Sequence, residues 1–141
     1  MNYSRRDLAL VLPALAAAAA PAATNDALAS KAYRFEDLPV KQNGKNTSRA
    51  IVTGKTHKGF PIEMHETSLA PGAMPHPPHH HFHEEIFLVR EGTVEVTVAG
   101  KTTRLGPGSV AYMGSNDEHG IKNVGDGYAQ YFVVALGPEE A

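Results

Sequence analysis

The stretch Gly72-Ala73-Met74-Pro75-His76-Pro77-Pro78-His79-His80-His81-Phe82-His83-Glu84-Glu85-Ile86-Phe87-Leu88-Val89-Arg90-Glu91-Gly92 carries the densest chemistry in the chain. Five histidines, His76, His79, His80, His81 and His83, fall within eight residues and lead into an apolar run. In an extended chain, residues two apart share a face and lie about 7 Å apart, so His79 and His81 can meet one ion. Glu85 has the same parity, and a strand continuing from His81 turns its carboxylate to that side. A fourth donor has to come from another strand, and His119 is the one histidine after the cluster. Three imidazoles and a carboxylate suit a first-row divalent ion, and an octahedral ion would keep two neighbouring positions open.

Working outward, short β-rich runs alternate with turn signals. Ala50 to Thr53, Phe60 to Leu69 and Glu85 to Arg90 read as strands, with Ala70-Pro71-Gly72 and Glu91-Gly92 as breaks. In Thr93 to Val98, Val94, Val96 and Val98 alternate with polar residues, the period of two that marks a strand with one face buried. Ala99-Gly100-Lys101 closes a hairpin onto Thr102 to Leu105, and Gly106-Pro107-Gly108 turns the chain into Ser109 to Met113. Glu118 to Asn123 and Tyr128 to Leu136 complete about eight strands with no helix signal after residue 30. The expected fold is all-β, a jelly-roll barrel over residues 48–141, preceded by a polar arm or edge strand over 30–47.

Composition narrows the function classes. A net charge of −2, with both signs spread along the chain, offers no basic footprint for nucleic acid or an anionic membrane. The chain has no cysteine, which removes disulfides, thiolate metal sites and cysteine nucleophiles. Residues 1–29 read as an address: Ser4-Arg5-Arg6-Asp7-Leu8, then an alanine-rich apolar segment too short to anchor the chain permanently, with small-residue cleavage patterns ending at Ala22 and at Ala29. The Ser-Arg-Arg-x-Leu run resembles a twin-arginine export signal. That route carries folded proteins, so the metal would be loaded before export, which suits iron or manganese better than copper. The expected location is the periplasm or the extracellular space.

The long histidine stretch resembles the first cupin motif: His79-x-His81, three residues, Glu85, six residues, Gly92. Gly108-Ser109-Val110-Ala111-Tyr112-Met113-Gly114-Ser115-Asn116-Asp117-Glu118-His119-Gly120-Ile121-Lys122-Asn123 is similar to the second motif, with Gly114 where the family usually has proline and Asn116 where it has glycine. Asn tolerates positive φ, so Asn116 can make the same turn. The resemblance implies a single-domain cupin holding one divalent transition metal ion, Fe, Mn or Cu first and Ni or Zn next, on His79, His81, Glu85 and His119. It further implies a small-molecule substrate and pairing of two copies into a homodimer.

Other side chains are placed by parity and neighbourhood. His80 points outward, and His81 with His83 forms a second register that leaves Glu85 only two residues away. His76 and His83 sit at the mouth or in solvent, and His57 is exposed in a turn. His65, in a strand beside Glu63 and Glu66, is either salt-bridged or pocket-lining. Phe87, Val89, Tyr112 and Phe132 are candidates for the barrel lining, with core packing the simpler role. Tyr112 is singled out as catalytic beside Glu85, because a buried phenol needs a partner and a metal-bound water or substrate is one. The function expected is an exported oxidoreductase using oxygen or peroxide on a carbohydrate-derived or phenolic substrate. The alternatives are a non-catalytic sugar-binding or small-acid-binding cupin and a metal-dependent isomerase or lyase.

Overall fold

The computed structural model describes residues 27–138, so the leader expected over 1–29 lies almost wholly outside the described residues. Among these the strands are β1 (Val40–Asn43), β2 (Asn46–Lys55), β3 (Pro61–Leu69), β4 (Glu84–Glu91), β5 (Val94–Val98), β6 (Lys101–Leu105), β7 (Val110–Met113), β8 (His119–Asn123) and β9 (Ala129–Leu136). A single 3-10 turn, Phe35–Asp37, is the one helical element among them. The strand beyond the eight expected is β1, an edge strand within the polar arm.

Two antiparallel sheets form a jelly roll, one in the order β1-β2-β3-β9-β4-β7 and the other β6-β5-β8. Strand β9 alternates without a break, sending Ala129, Tyr131, Val133 and Ala135 inward. Ala129, Tyr131 and Val133 pack with Leu69, Phe87, Val89, Val94, Val96, Met113 and Ile121 in one core between the sheets. The inward aromatic on β9 is therefore Tyr131, and Phe132, expected in the lining, faces the other way. Asn123 is fully buried with its amide satisfied: it donates to the carbonyls of Leu69 and Gly127 and accepts from the Gly125 N–H.

The segment between β3 and β4 differs from the expectation. His79 to Glu85 is not one strand, since β4 begins only at Glu84. The preceding segment is instead laced along β8. Gly72 N–H donates to Asn123 O and Asn123 N–H to Ala73 O; His79 and His119 exchange a pair of backbone hydrogen bonds of 3.0 and 2.8 Å; and Asn116 N–H donates to His81 O. A bend at Phe82 and His83 separates His81 from β4, and Pro75, Pro77 and Pro78, which lack the ladder donor, keep the residues before His79 from forming a strand of their own. Pro78 also packs on Gly120, where a Cβ would come within 3.1 Å of its ring.

The N-terminal arm folds onto its own sheet. Ala27 bridges Lys55, the Leu28 side chain lies against Gly54, and Phe35 sits between the guanidinium groups of Arg49 and Arg90. Arg49 also reaches the fully buried Glu66 at 2.9 Å.

Gly92 makes the turn from β4 in one sheet to β5 in the other. Its φ is +82°, and a Cβ there would lie 2.7 Å from the Ala129 Cα. Gly92→Ala is expected to lower the unfolding free energy by roughly 2–5 kcal/mol, combining left-handed strain with a backbone collision. Gly108 has the same φ of +82° but open space around it, so Gly108→Ala should lose only about 1–2 kcal/mol. Urea unfolding of both variants measures the difference.

Candidate metal centre

Lacing the 72–83 segment to β8 brings His79 and His119 side by side, and their rings lie 4.8 Å apart, with His81 at 5.1 and 4.7 Å from them. Ligand atoms of His79, His81 and His119 all lie within 4.8 Å of one another. A second group, His81, His83 and Glu85, meets the same criterion and shares His81. Glu85 joins the two: its Oε2 is 3.2 Å from His119 Nε2, and its Oε1 is 3.6 Å from His81 Nε2 and 3.4 Å from His83 Nε2.

The tautomers follow from the hydrogen bonds. Nδ1 of His81 lies 2.8 Å from the His83 carbonyl, and Nδ1 of His119 lies 2.8 Å from the Asp117 carbonyl. A carbonyl only accepts, so both Nδ1 atoms carry the proton and both Nε2 atoms present lone pairs. These Nε2 atoms, together with Nδ1 of His79 and Nδ1 of His83, are buried without any hydrogen-bond partner. Buried polar atoms left unpaired cost about 1–3 kcal/mol each. A carboxylate oxygen facing an unprotonated Nε2 sets two acceptors against each other, and a cation between them relieves that. Burial, reinforced by the neighbouring His76, His119 and His81 rings, pulls His79 down to about 4, so its ring is neutral near pH 7 and free to ligate. The residues therefore fit a divalent metal bound by nitrogen and carboxylate oxygen.

Phe87 lies beneath the cluster, 6.1 Å from the His119 ring and 5.4 Å from that of Tyr131. Burial raises the Tyr131 phenol well above its ordinary range. Tyr112, expected to be buried and catalytic, is 57% exposed on edge strand β7. It immediately precedes the buried Met113 and so has the opposite parity, and Met113 is the residue paired with Glu85, so Tyr112 stands on the opposite face of the sheet from the donors. Its phenol is raised above its usual range by a hydrogen bond with Glu84. His80 is exposed, and the ring of exposed His76 stacks edgewise on His79 at 4.1 Å.

Beside the cluster opens a cavity of about 740 Å³ whose wall includes His83, Ala135, Glu63, Thr53 and Lys55. Of these, only His83 was singled out from sequence as a mouth residue. The sequence of β3 carries no signal for this, since its apolar Ile62 and Met64 fall in the phase opposite to Glu63; the register of Glu63 with Ala135 is what places it on the inner face.

Fold and site together define a small, single-domain jelly-roll protein with a nitrogen-rich donor cluster between its sheets. The chain belongs to the cupin family: the family model described as the cupin domain matches residues 65–135. L-ectoine synthase of Bordetella parapertussis is 36% identical over 73 residues, covering 51% of this chain and 54% of that protein, so the chain spans about half the length of the curated relatives it matches. Among solved structures, an RmlC-like cupin from Shewanella frigidimarina superposes with a TM-score of 0.64 at 19% identity, over 79% of this chain and 95% of that one. KdgF from Halomonas sp. gives 0.65 at 16% identity, over 76% and 94%. These likenesses, below a quarter identical, support the fold.

Protein incubated with a divalent transition metal and then gel-filtered is expected to retain one ion per chain by elemental analysis. His81→Ala, which removes the donor common to both groups, should abolish stoichiometric retention, while His80→Ala at the exposed neighbour should leave it intact.

Proposed function

We propose that this chain is an exported, mononuclear metal-dependent cupin enzyme acting on a small polar substrate. The observation that carries the reading is the convergence of unpartnered ring nitrogens from His79, His81 and His119 with the Glu85 carboxylate beside an open cavity. Bound there, a divalent ion would supply Lewis acidity to a substrate oxygen or hold oxygen for redox chemistry. The residues of the chain divide the remaining work. His79, His81 and His119 hold the ion, and the carbonyls of His83 and Asp117 fix two of those rings. Phe87 closes the underside against water, and Glu85 either completes the donor set or turns toward His83 and the cavity to accept a hydrogen bond from the substrate.

The first reading of the reaction is redox-neutral, an isomerase or lyase chemistry. It is supported by the sequence relative named as a synthase. Oxidoreductase chemistry is the second reading, supported by a donor set of imidazole and carboxylate that suits Fe or Mn as well as Zn. Export is proposed from the Ser4-Arg5-Arg6-Asp7-Leu8 leader; cleavage after Ala22 would keep the contacts of Ala27 and Leu28 with Lys55 and Gly54 in place. A homodimer belongs to the same proposal, supported by edge strand β7, where Val110 and Tyr112 are each 57% exposed. Light scattering decides the oligomeric state.

The experiment is turnover of candidate sugars, uronates, phenolics and small amino or hydroxy acids by metal-loaded protein in an oxygen electrode. Substrate loss without oxygen uptake is the expected result, and Glu85→Gln should lower kcat by about 100-fold or more. Stoichiometric oxygen uptake would move the assignment to the oxidoreductase reading. Tight binding without turnover across the panel would make the protein a binding module.

A further inference from the structure

The inner face of the large sheet carries a second polar group that the metal centre does not use. The register pairs Glu85 with Ala135, Ala135 with Glu63 and Glu63 with Thr53, so one row crosses β4, β9, β3 and β2. Directly paired residues in antiparallel strands share a face. The row therefore runs from the donor carboxylate over a methyl group to a second carboxylate two strands away, roughly 10 Å at 4.7–4.9 Å per strand. Ala135, small and buried, is all that stands between the two carboxylates in that row, and Ala135, Glu63 and His83, whose ring lies 3.4 Å from Glu85, share the wall of the 740 Å³ cavity.

Glu63 is also held in position. Nδ1 of His65, two residues along the same face, lies 2.9 and 3.1 Å from its two carboxylate oxygens. An ionised carboxylate accepts hydrogen bonds and donates none. One nitrogen satisfies only part of its acceptor capacity, and the Glu63 side chain stays 37% exposed toward the cavity. The single cation in that wall, Lys55, is an exposed residue at the end of β2.

We propose that Glu63, oriented by His65, is the substrate-specificity residue of the site. It binds a hydrogen-bond-donating group, an ammonium or a hydroxyl, at the end of the substrate remote from the metal. The substrate class is a compact chain of a few carbons with a metal-binding oxygen group at one end and that donor at the other. This inference rests on the metal-centre reading above. It adds a length and a polarity requirement that the ion alone does not impose.

The test is calorimetry on zinc-loaded protein with butanoate, 4-hydroxybutanoate and 4-aminobutanoate, which share one carboxylate and differ at the far end. At least one of the two donor-bearing acids should bind wild type about tenfold or more tighter than butanoate, the scale of a hydrogen bond to a charged group. The variants separate the two donors. An ammonium advantage should disappear in Glu63→Gln, which keeps the shape and removes the charge. A hydroxyl advantage should survive Glu63→Gln and disappear in Glu63→Ala. Butanoate affinity should stay the same in all three proteins, which shows that the variants fold and keep the ion. Equal affinities for the three acids in wild type, no binding of any of them, or an advantage that persists in Glu63→Ala overturns the inference. Zinc content of the same samples keeps the two readings apart: zinc-free wild type overturns the metal centre, whereas bound zinc without discrimination overturns the role of Glu63 alone.

Discussion

The backbone hydrogen bonds between His79 and His119 hold the site together. Each residue gives its N–H to the carbonyl of the other, at 3.0 and 2.8 Å, and flanking bonds at Ala73 with Asn123 and at His81 with Asn116 extend the lacing. A segment rich in proline cannot complete a strand ladder by itself, yet its free N–H and C=O groups must be satisfied as the barrel closes. Strand β8 supplies the partners. The exchange fixes side chains from two distant parts of the chain within reach of one ion, before any ion contributes.

The electrostatics of the cluster follow from that fixed backbone. The carbonyls of His83 and Asp117 are aimed at Nδ1 of His81 and His119 because each lies on a turn two residues from its ring, and they commit the opposite nitrogens to lone pairs. Burial keeps His79 neutral, and the Glu85 carboxylate supplies the negative charge that a divalent ion requires. Apolar packing by Phe87, with Tyr131 behind it, makes the floor dry. Polar groups return on the cavity side, at His83, Glu63 and Thr53, where a substrate would be recognised. The candidate donors and the polar cavity wall thus lie at opposite ends of one row on the inner face.

Much of this was legible in the chain. β-rich runs bounded by turn residues located the strands to within a few residues, and in β5 the alternation of Val94, Val96 and Val98 marked the buried face, because side chains on a half-buried sheet must alternate whatever the neighbours are. Asn116 was expected to make a left-handed turn in place of glycine and does so, with φ +63°. Parity reasoning misled where it was extended through the bend at Phe82 and His83: His79 to Glu85 does not run as one strand, and the candidate donors meet through pairing with β8 instead. Outside β5 it also gave no account of which face is inner. Tyr112 and Phe132 are aromatic residues in strands like Phe87 and Tyr131, but each is one position out of phase with the core.

The sequence by itself determined the strand-and-turn pattern, the family motifs, and the residue types available to hold a metal, since these depend on local periodicity and on spacing along the chain. The tertiary structure alone decided which side chains share a space. Sheet order places β9 between β3 and β4, and only that order puts Glu63 across Ala135 from Glu85. It also turns Tyr112 to the outer face and fixes the tautomers through carbonyls whose direction depends on the folded turn. Local sequence sets the alternation of a strand, but the neighbours it acquires on folding decide which phase is buried and what that phase meets.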